Sequence, residues 1–259
     1  MAPAEHLRIG CVKYLNARPL IHGWPDEVAF DHPTALCDRL AGHTLDVALV
    51  SSFEFLRNPM FYVFVDGISI SSRGPVHSVF LAHAGELAEI EEIEIDPASQ
   101  TSVNLLFCLL AEAGLSPRFT ARTPLIRRAV TPRLAKFFIG DQAIRFRAQN
   151  PGTFHFWDLG EEWEKLTGLP FVYALWLIRP EVANPKAIAD SLRACRDRNM
   201  DELDLVIAAQ KEFTPEFCAY YFRQCLKYEF GQPEKEGLAM FRKLCEEHGL
   251  LSRDPTPIV

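Results

Sequence analysis

The sequence predicts an α/β protein of two lobes, the second inserted into the first. Three observations carry this. Four short apolar runs are each followed by a polar junction and then a helical pattern, the rhythm of parallel strands with crossover helices. Two β-rich stretches interrupt that rhythm. Beyond Arg179-Pro180 the pattern is helical throughout. Chain crossings are expected near residues 83–88 and 172–178. Lobe 1 is then residues 1–85 and 176–259, including the C-terminal helices, and lobe 2 is residues 86–175. A ligand is expected in a cleft between lobes, at the carboxyl ends of the strands.

The first apolar run is Leu7 to Val12, followed by the junction Lys13-Tyr14-Leu15-Asn16. A helix is expected from Arg18-Pro19, because proline suits a first helical turn. The second run is Leu45 to Val50, followed by Ser51-Ser52 and a helix from Phe53 that Pro59 stops. Tyr62 to Val65 and Val76 to Ala82 are β-rich, with loops and no helix between them. The third run is Ile93 to Ile95, followed by Asp96 to Ser102. In the next helix Val103, Leu106, Phe107 and Leu110 share one face at i, i+3, i+4, i+7. Ser99 to Ser102 supply capping side chains and Gly114 ends the helix. The fourth run is Phe137 to Ile139, followed by Gly140-Asp141. A further strand runs from Phe171 to Ile178. Asn184-Pro185 and Thr214-Pro215-Glu216 open helices, and Gly249 terminates the last one.

Composition excludes several classes. The chain has 259 residues, 48% apolar and 24% charged, which suits a folded soluble protein with a sizeable core. No apolar run approaches the ~18–20 residues of a membrane span. The mixed polar N-terminus leads into a strand, so no secretory signal and a cytoplasmic protein are expected. A net charge of −7 argues against a nucleic-acid partner. The seven cysteines form no Cys-x-x-Cys pair and read as buried, reduced thiols. The histidines have no zinc-ligand spacing, so no metal is expected. There is no Gly-rich phosphate loop and no Gly-x-Ser-x-Gly elbow, and no cofactor is expected.

The junctions are the candidate site. Three of them lead into helix N-termini, whose free N–H groups and positive dipole end attract anions. Ser51, Ser52, Thr101 and Ser102 add hydroxyl donors, and Tyr14 and Asn16 add a phenol and an amide. Such donors suit one or more carboxylates, although Ser and Thr also serve as simple helix caps. Arg73 to Ser78 is a fifth candidate. Arg73 offers a bidentate clamp for a carboxylate or else an exposed turn residue. His77 and Ser78 precede a strand that leads to the first crossing. Asp141 is either a helix cap or a general base. Arg118 to Arg147 holds eight Arg or Lys against the single acid Asp141, whereas Glu86 to Asp96 holds six acids and no base. That reads either as alternating solvated faces or as a positive field on lobe 2.

Several segments resemble one known family. Val-Lys-Tyr-Leu-Asn-Ala-Arg-Pro-Leu at Val12 to Leu20 is similar to the N-terminal signature of the chorismate dehydratases of the futalosine route to menaquinone. So are Asp46 to Phe55, Ser72 to Leu81, Asp96 to Leu106, Ile139 to Ile144 and Asp158 to Trp176. The resemblance spans roughly residues 7–180 in order. It implies a type-2 periplasmic-binding-protein-like fold without a transport role. It also implies a hydro-lyase that needs no cofactor and converts the dicarboxylate chorismate to 3-[(1-carboxyvinyl)oxy]benzoate and water. In that picture Asn16 and Ser78 orient the reacting part, and Ser51, Ser52, Thr101 and Ser102 hold carboxylates. The proton acceptor is the substrate's own enolpyruvyl carboxylate or Asp141. The sister enzyme 1,4-dihydroxy-6-naphthoate synthase is also similar at Thr101 to Leu106, but the Tyr14-Leu15-Asn16 signature weighs against it. A non-enzymatic small-anion-binding protein is the other rival.

Overall fold

The computed structural model describes residues 7–96, 100–122 and 128–252. Along the chain run β1 (Ile9–Val12), α1 (Arg18–Ile21), β2 (Val28–Asp31), α2 (Pro33–Ala41), β3 (Val47–Ser51), α3 (Ser52–Arg57) and β4 (Val63–Ser72). There follow β5 (Val79–His83), β6 (Glu92–Ile95), α4 (Gln100–Glu112), β7 (Arg118–Ala121), β8 (Leu134–Ile139), α5 (Gly140–Gln149), β9 (His155–Asp158) and α6 (Leu159–Thr167). The chain finishes with β10 (Phe171–Ile178), α7 (Pro185–Asp201), α8 (Leu203–Ala208), α9 (Pro215–Tyr220) and α10 (Gln232–Glu247). No helix among the described residues is long and apolar enough to cross a membrane.

Two compact units result. Unit 1 holds the described residues to Ser71 and then Val172–Gln232; unit 2 holds Ser72–Phe171 and the described residues from Pro233. The crossings therefore fall at 71/72 and 171/172, where the sequence reading put them at 85/86 and 175/176. A third falls at 232/233. The sequence reading assigned the C-terminal helices to lobe 1, but α10 packs in unit 2. Its Phe241 ring meets Phe171 and Trp163 edge-on at 4.9 and 6.1 Å. Its Cys245 Sγ lies 3.8 Å from Cys108 Sγ of α4. These apolar partners stand far upstream in sequence, so the periodicity of α10 reveals its buried face without saying what covers it.

Unit 1 has sheet order β2-β1-β3-β10-β4. β1 pairs parallel with β2 and β3, and β10 runs antiparallel to β3. Every residue of β1, β3 and β10 is buried. Strands covered on both faces read as continuous apolar runs, which is why they stand out in the sequence. Gly10 lets the sheet approach its cover: a Cβ there would lie 2.5 Å from Leu45 Cδ1 and 2.9 Å from Leu36 Cδ2. In α7 the Asn199 amide donates to the carbonyls of Pro19 and His22, holding the segment that follows β1.

Unit 2 repeats the plan, with order β7-β6-β8-β5-β9 and β5 antiparallel to both neighbours. In each unit the antiparallel strand is the first one formed after the chain crosses in. The charge asymmetry resolves here as well. The acids of β6 face bases on β7 and β8 and between them: Glu92 pairs with Arg118 at 2.7 Å and with Arg128, and Glu94 with Lys136 at 3.2 Å and Arg122 at 3.4 Å. The parallel register Glu92↔Arg118 and Glu94↔Lys136 brings the two runs together. Of the two readings of the charge runs, the positive field is thus largely offset by these pairs.

All seven cysteines are buried, and none is in a disulfide. The helices after the first two junctions are short: α1 has four residues, and α3 has six and ends before Pro59 as the sequence predicts. Their dipoles are correspondingly weak.

Candidate functional site

In unit 1 the strand ends assemble the first candidate set. The parallel pairing of β1 with β3 sends both chains out at the same sheet edge. Antiparallel β10 begins there, with Ala174 opposite Ser51. Ser52 is buried, and its Oγ donates to the Val172 carbonyl at 2.7 Å. Ser51 is also buried and occupies the N-cap position of α3, yet makes no side-chain cap bond there. The Tyr14 hydroxyl is 3.1 Å from His32 Nδ1. The Tyr228 hydroxyl donates to the Asn16 carbonyl at 3.0 Å, fixing the backbone of the first junction. The Asn16 side chain differs from these. Its Oδ1 is buried with no hydrogen-bond partner among the described residues, and a buried acceptor left unpaired normally marks strain or function.

Unit 2 assembles the second set by the same logic. Register places Val79 opposite Ile139 and Phe80 opposite Asp158. Ser78, Gly140-Asp141 and Asp158 therefore share one sheet edge. Ser78, Thr101 and Ser102 are buried, the last two in the first turn of α4. Gly140 has φ +58°, a left-handed conformation that glycine adopts at no steric cost and that turns β8 directly into α5. Ile139, rather than Asp141, is the N-cap of α5, and Asp141 lies in its first turn. Ser99, a predicted cap of α4, lies outside the described residues.

His77 has φ +67°. Burial, and secondarily the Arg147 charge, pulls its imidazole down to about 4, so it is neutral near pH 7. Arg73 lies four residues upstream of His77. Its guanidinium pairs with Glu164 of α6 at 3.3 Å, more than half exposed.

The sequence reading missed Asp158 and Arg147. Asp158 is 2% exposed and accepts from the backbone N–H of Val76 at 2.9 Å, His77 at 2.7 Å and Gly160 at 3.0 Å. Burial raises its pKa, while these donors and Arg147 pull the other way. Arg147 Nη1 stands 3.7 Å from Asp158 Oδ2, with the guanidinium over the rings of Phe156 and Phe80.

Both sets offer buried hydroxyls at strand ends, and unit 1 adds the Asn16 amide, groups whose chemistry suits a carboxylate or a substrate hydroxyl. Comparison with known proteins gives the family and the fold. A family model described as menaquinone biosynthesis matches residues 7–247. The chorismate dehydratase of Thermus thermophilus is 30% identical over 253 residues, covering 90% of this chain and 93% of that protein. The chorismate dehydratase of Campylobacter jejuni is 25% identical over 235 residues, covering 90% and 91%. The periplasmic aliphatic sulphonate binding protein of Escherichia coli superposes with a TM-score of 0.63 at 16% identity, covering 95% and 94%. At that identity the likeness is one of fold, and the fold is periplasmic-binding-protein-like.

Proposed function

The chain belongs to the menaquinone biosynthesis family, whose model spans residues 7–247, and from that premise we propose that it is a chorismate dehydratase. It removes water from chorismate to give 3-[(1-carboxyvinyl)oxy]benzoate. The observation that carries the reading is the near full-length similarity to a chorismate dehydratase at 30% identity. The reaction takes a proton from a ring carbon and expels hydroxide from its neighbour. The electron pair of the broken C–H bond enters the ring, which becomes aromatic, and proton and hydroxide leave as water. Aromatisation supplies driving force, so the protein's task is positioning and electrostatics.

Each residue set has an assigned role. In unit 1, Ser51, Ser52 and Tyr14 serve a carboxylate, and Asn16 presents its unpaired amide oxygen to the reacting part of the substrate. In unit 2, Thr101 and Ser102 serve a carboxylate at the N-terminus of α4, a helix of 13 residues and the longest at any of the four junctions. Ser78 orients the departing hydroxyl, and neutral His77 lines the same edge. The substrate's enolpyruvyl carboxylate takes the proton, with Asp141 the competing base. Abolished turnover in Asp141→Asn with binding intact would move that role to Asp141.

Purified protein incubated with chorismate alone, followed by mass spectrometry, tests the function. Loss of one water supports it. Unreacted chorismate together with conversion of cyclic dehypoxanthinyl futalosine would identify the sister 1,4-dihydroxy-6-naphthoate synthase. Ligand-induced thermal stabilisation without any turnover would identify a non-enzymatic anion binder.

A further inference from the structure

We propose that Asp158 is a positioning residue for this reaction: its buried carboxylate holds the strained peptide at His77 and thereby sets Ser78. The inference rests on the dehydratase reading for its kinetic readout, but its geometry stands within unit 2.

The segment before β5 carries two left-handed residues, Gly74 at φ +84° and His77 at φ +67°. Glycine takes this conformation freely, but a residue with a Cβ loses about 1–3 kcal/mol there and keeps it only when its surroundings over-determine it. At His77 the surroundings converge on one carboxylate. Asp158 Oδ1 accepts from Val76 N–H and Oδ2 from His77 N–H. The same Oδ1 caps α6 through Gly160 and Glu161. Arg147, reaching in from α5, stands beside Oδ2. One buried group thus ties the end of β9, the start of α6 and the strained loop to a single point. The residue immediately after that loop is Ser78, fully enclosed and fixed where β5 enters its register with β8. A loop released at His77 shifts Ser78, and a displacement of about 1 Å is enough to cost roughly 100-fold in rate.

The test uses the full chain. Asp158→Asn puts an amide NH2 where one of the two loop N–H groups needs an acceptor. The expected result is a fall in kcat of about 100-fold with KM for chorismate changed far less. Adding His77→Gly removes the left-handed strain and restores part of the lost kcat, whereas His77→Ala keeps the Cβ and restores none. Unchanged kcat in Asp158→Asn, or equal recovery with alanine and glycine, overturns the proposal. If Asp158→Asn does not fold, Asp158→Ser is read instead. It keeps an acceptor for α6 but cannot span to Val76 and His77. The same kcat loss and glycine-only recovery are expected, and full activity overturns the proposal. If the wild-type chain leaves chorismate unreacted, the dehydratase reading fails separately. Amide exchange at Val76 and His77 then decides: faster exchange in the Asp158 variant supports the holding role, and unchanged protection overturns it.

Discussion

In the variant Asn16→Ala, stability and chemistry are expected to part company. Asn16 Oδ1 is buried without a hydrogen-bond partner among the described residues. A buried acceptor in that condition costs the folded state about 1–3 kcal/mol. Alanine removes the acceptor and gives up only a small side chain, while the junction backbone stays held by the Tyr228 hydroxyl. The variant should therefore be as stable as the wild type or up to about 1–2 kcal/mol more stable. For a chain of this size that is an upward shift of about 2–4 °C per kcal/mol. Turnover should fall by about 100-fold, the usual loss when one group that polarises or orients the reacting atoms is deleted. Thermal unfolding by circular dichroism and mass-spectrometric turnover of purified chorismate give the two readings. Near-normal turnover would sink the role assigned to Asn16. A marked loss of stability would show that its amide oxygen is satisfied after all, and would remove the reason for singling it out.

Three further outcomes follow from particular contacts. Gly237→Ala should destabilise by about 2–4 kcal/mol although alanine is the better helix former by about 1 kcal/mol, because its Cβ would lie 2.0 Å from the Pro170 carbonyl oxygen; a urea midpoint equal to or above wild type would refute the packing of α10 on that turn. The Glu92 carboxyl is held at about 2, against 4.5 for a free one, chiefly by the Arg128 guanidinium. Its contribution is thus complete above pH 4.5 and lost as pH falls towards 2. Glu92→Gln should flatten that part of the acid-unfolding curve followed by tryptophan fluorescence, and an unchanged slope would count against the pairing. Arg73→Ala removes an exposed pair worth about 0–1 kcal/mol, so KM for chorismate should stay within about twofold and melting should barely move; a large rise in KM would return Arg73 to the binding set.

How much of this was legible in the sequence depends on burial. β10, read as Phe171 to Ile178, is that strand to the residue, because all eight positions are buried and apolar. β2 and β7 carry no such signal. They are four-residue edge strands, partly exposed, and show neither a continuous run nor a clean alternation. Thr101, Ser102 and the Ser51-Ser52 pair were visible because junction residues lie beside their own strands in sequence. The partners of Asp158 were not. Asp158 with Glu161 three residues on reads as an ordinary helix start, and nothing local announces donors 81 and 82 residues upstream. The charge runs stayed ambiguous for the same reason: a block of acids and a block of bases become cross-strand pairs only once the parallel register is known.

The placement of β10 between β3 and β4 has a consequence for synthesis of the chain. When β4 leaves the ribosome, the strand that must separate it from β3 has not been made. About 100 more residues must follow, which takes roughly 5–20 s at ordinary elongation rates. During that interval β3, whose five residues are all buried in the finished protein, presents an open apolar edge. Unit 2 waits as well, because the whole of Val172–Gln232 is made before α10. Neither unit should be obtainable by expressing the first 71 residues or residues 72–171 alone. Mutations that slow the pairing of β10 should lower the yield of soluble protein before they alter the melting temperature of what survives.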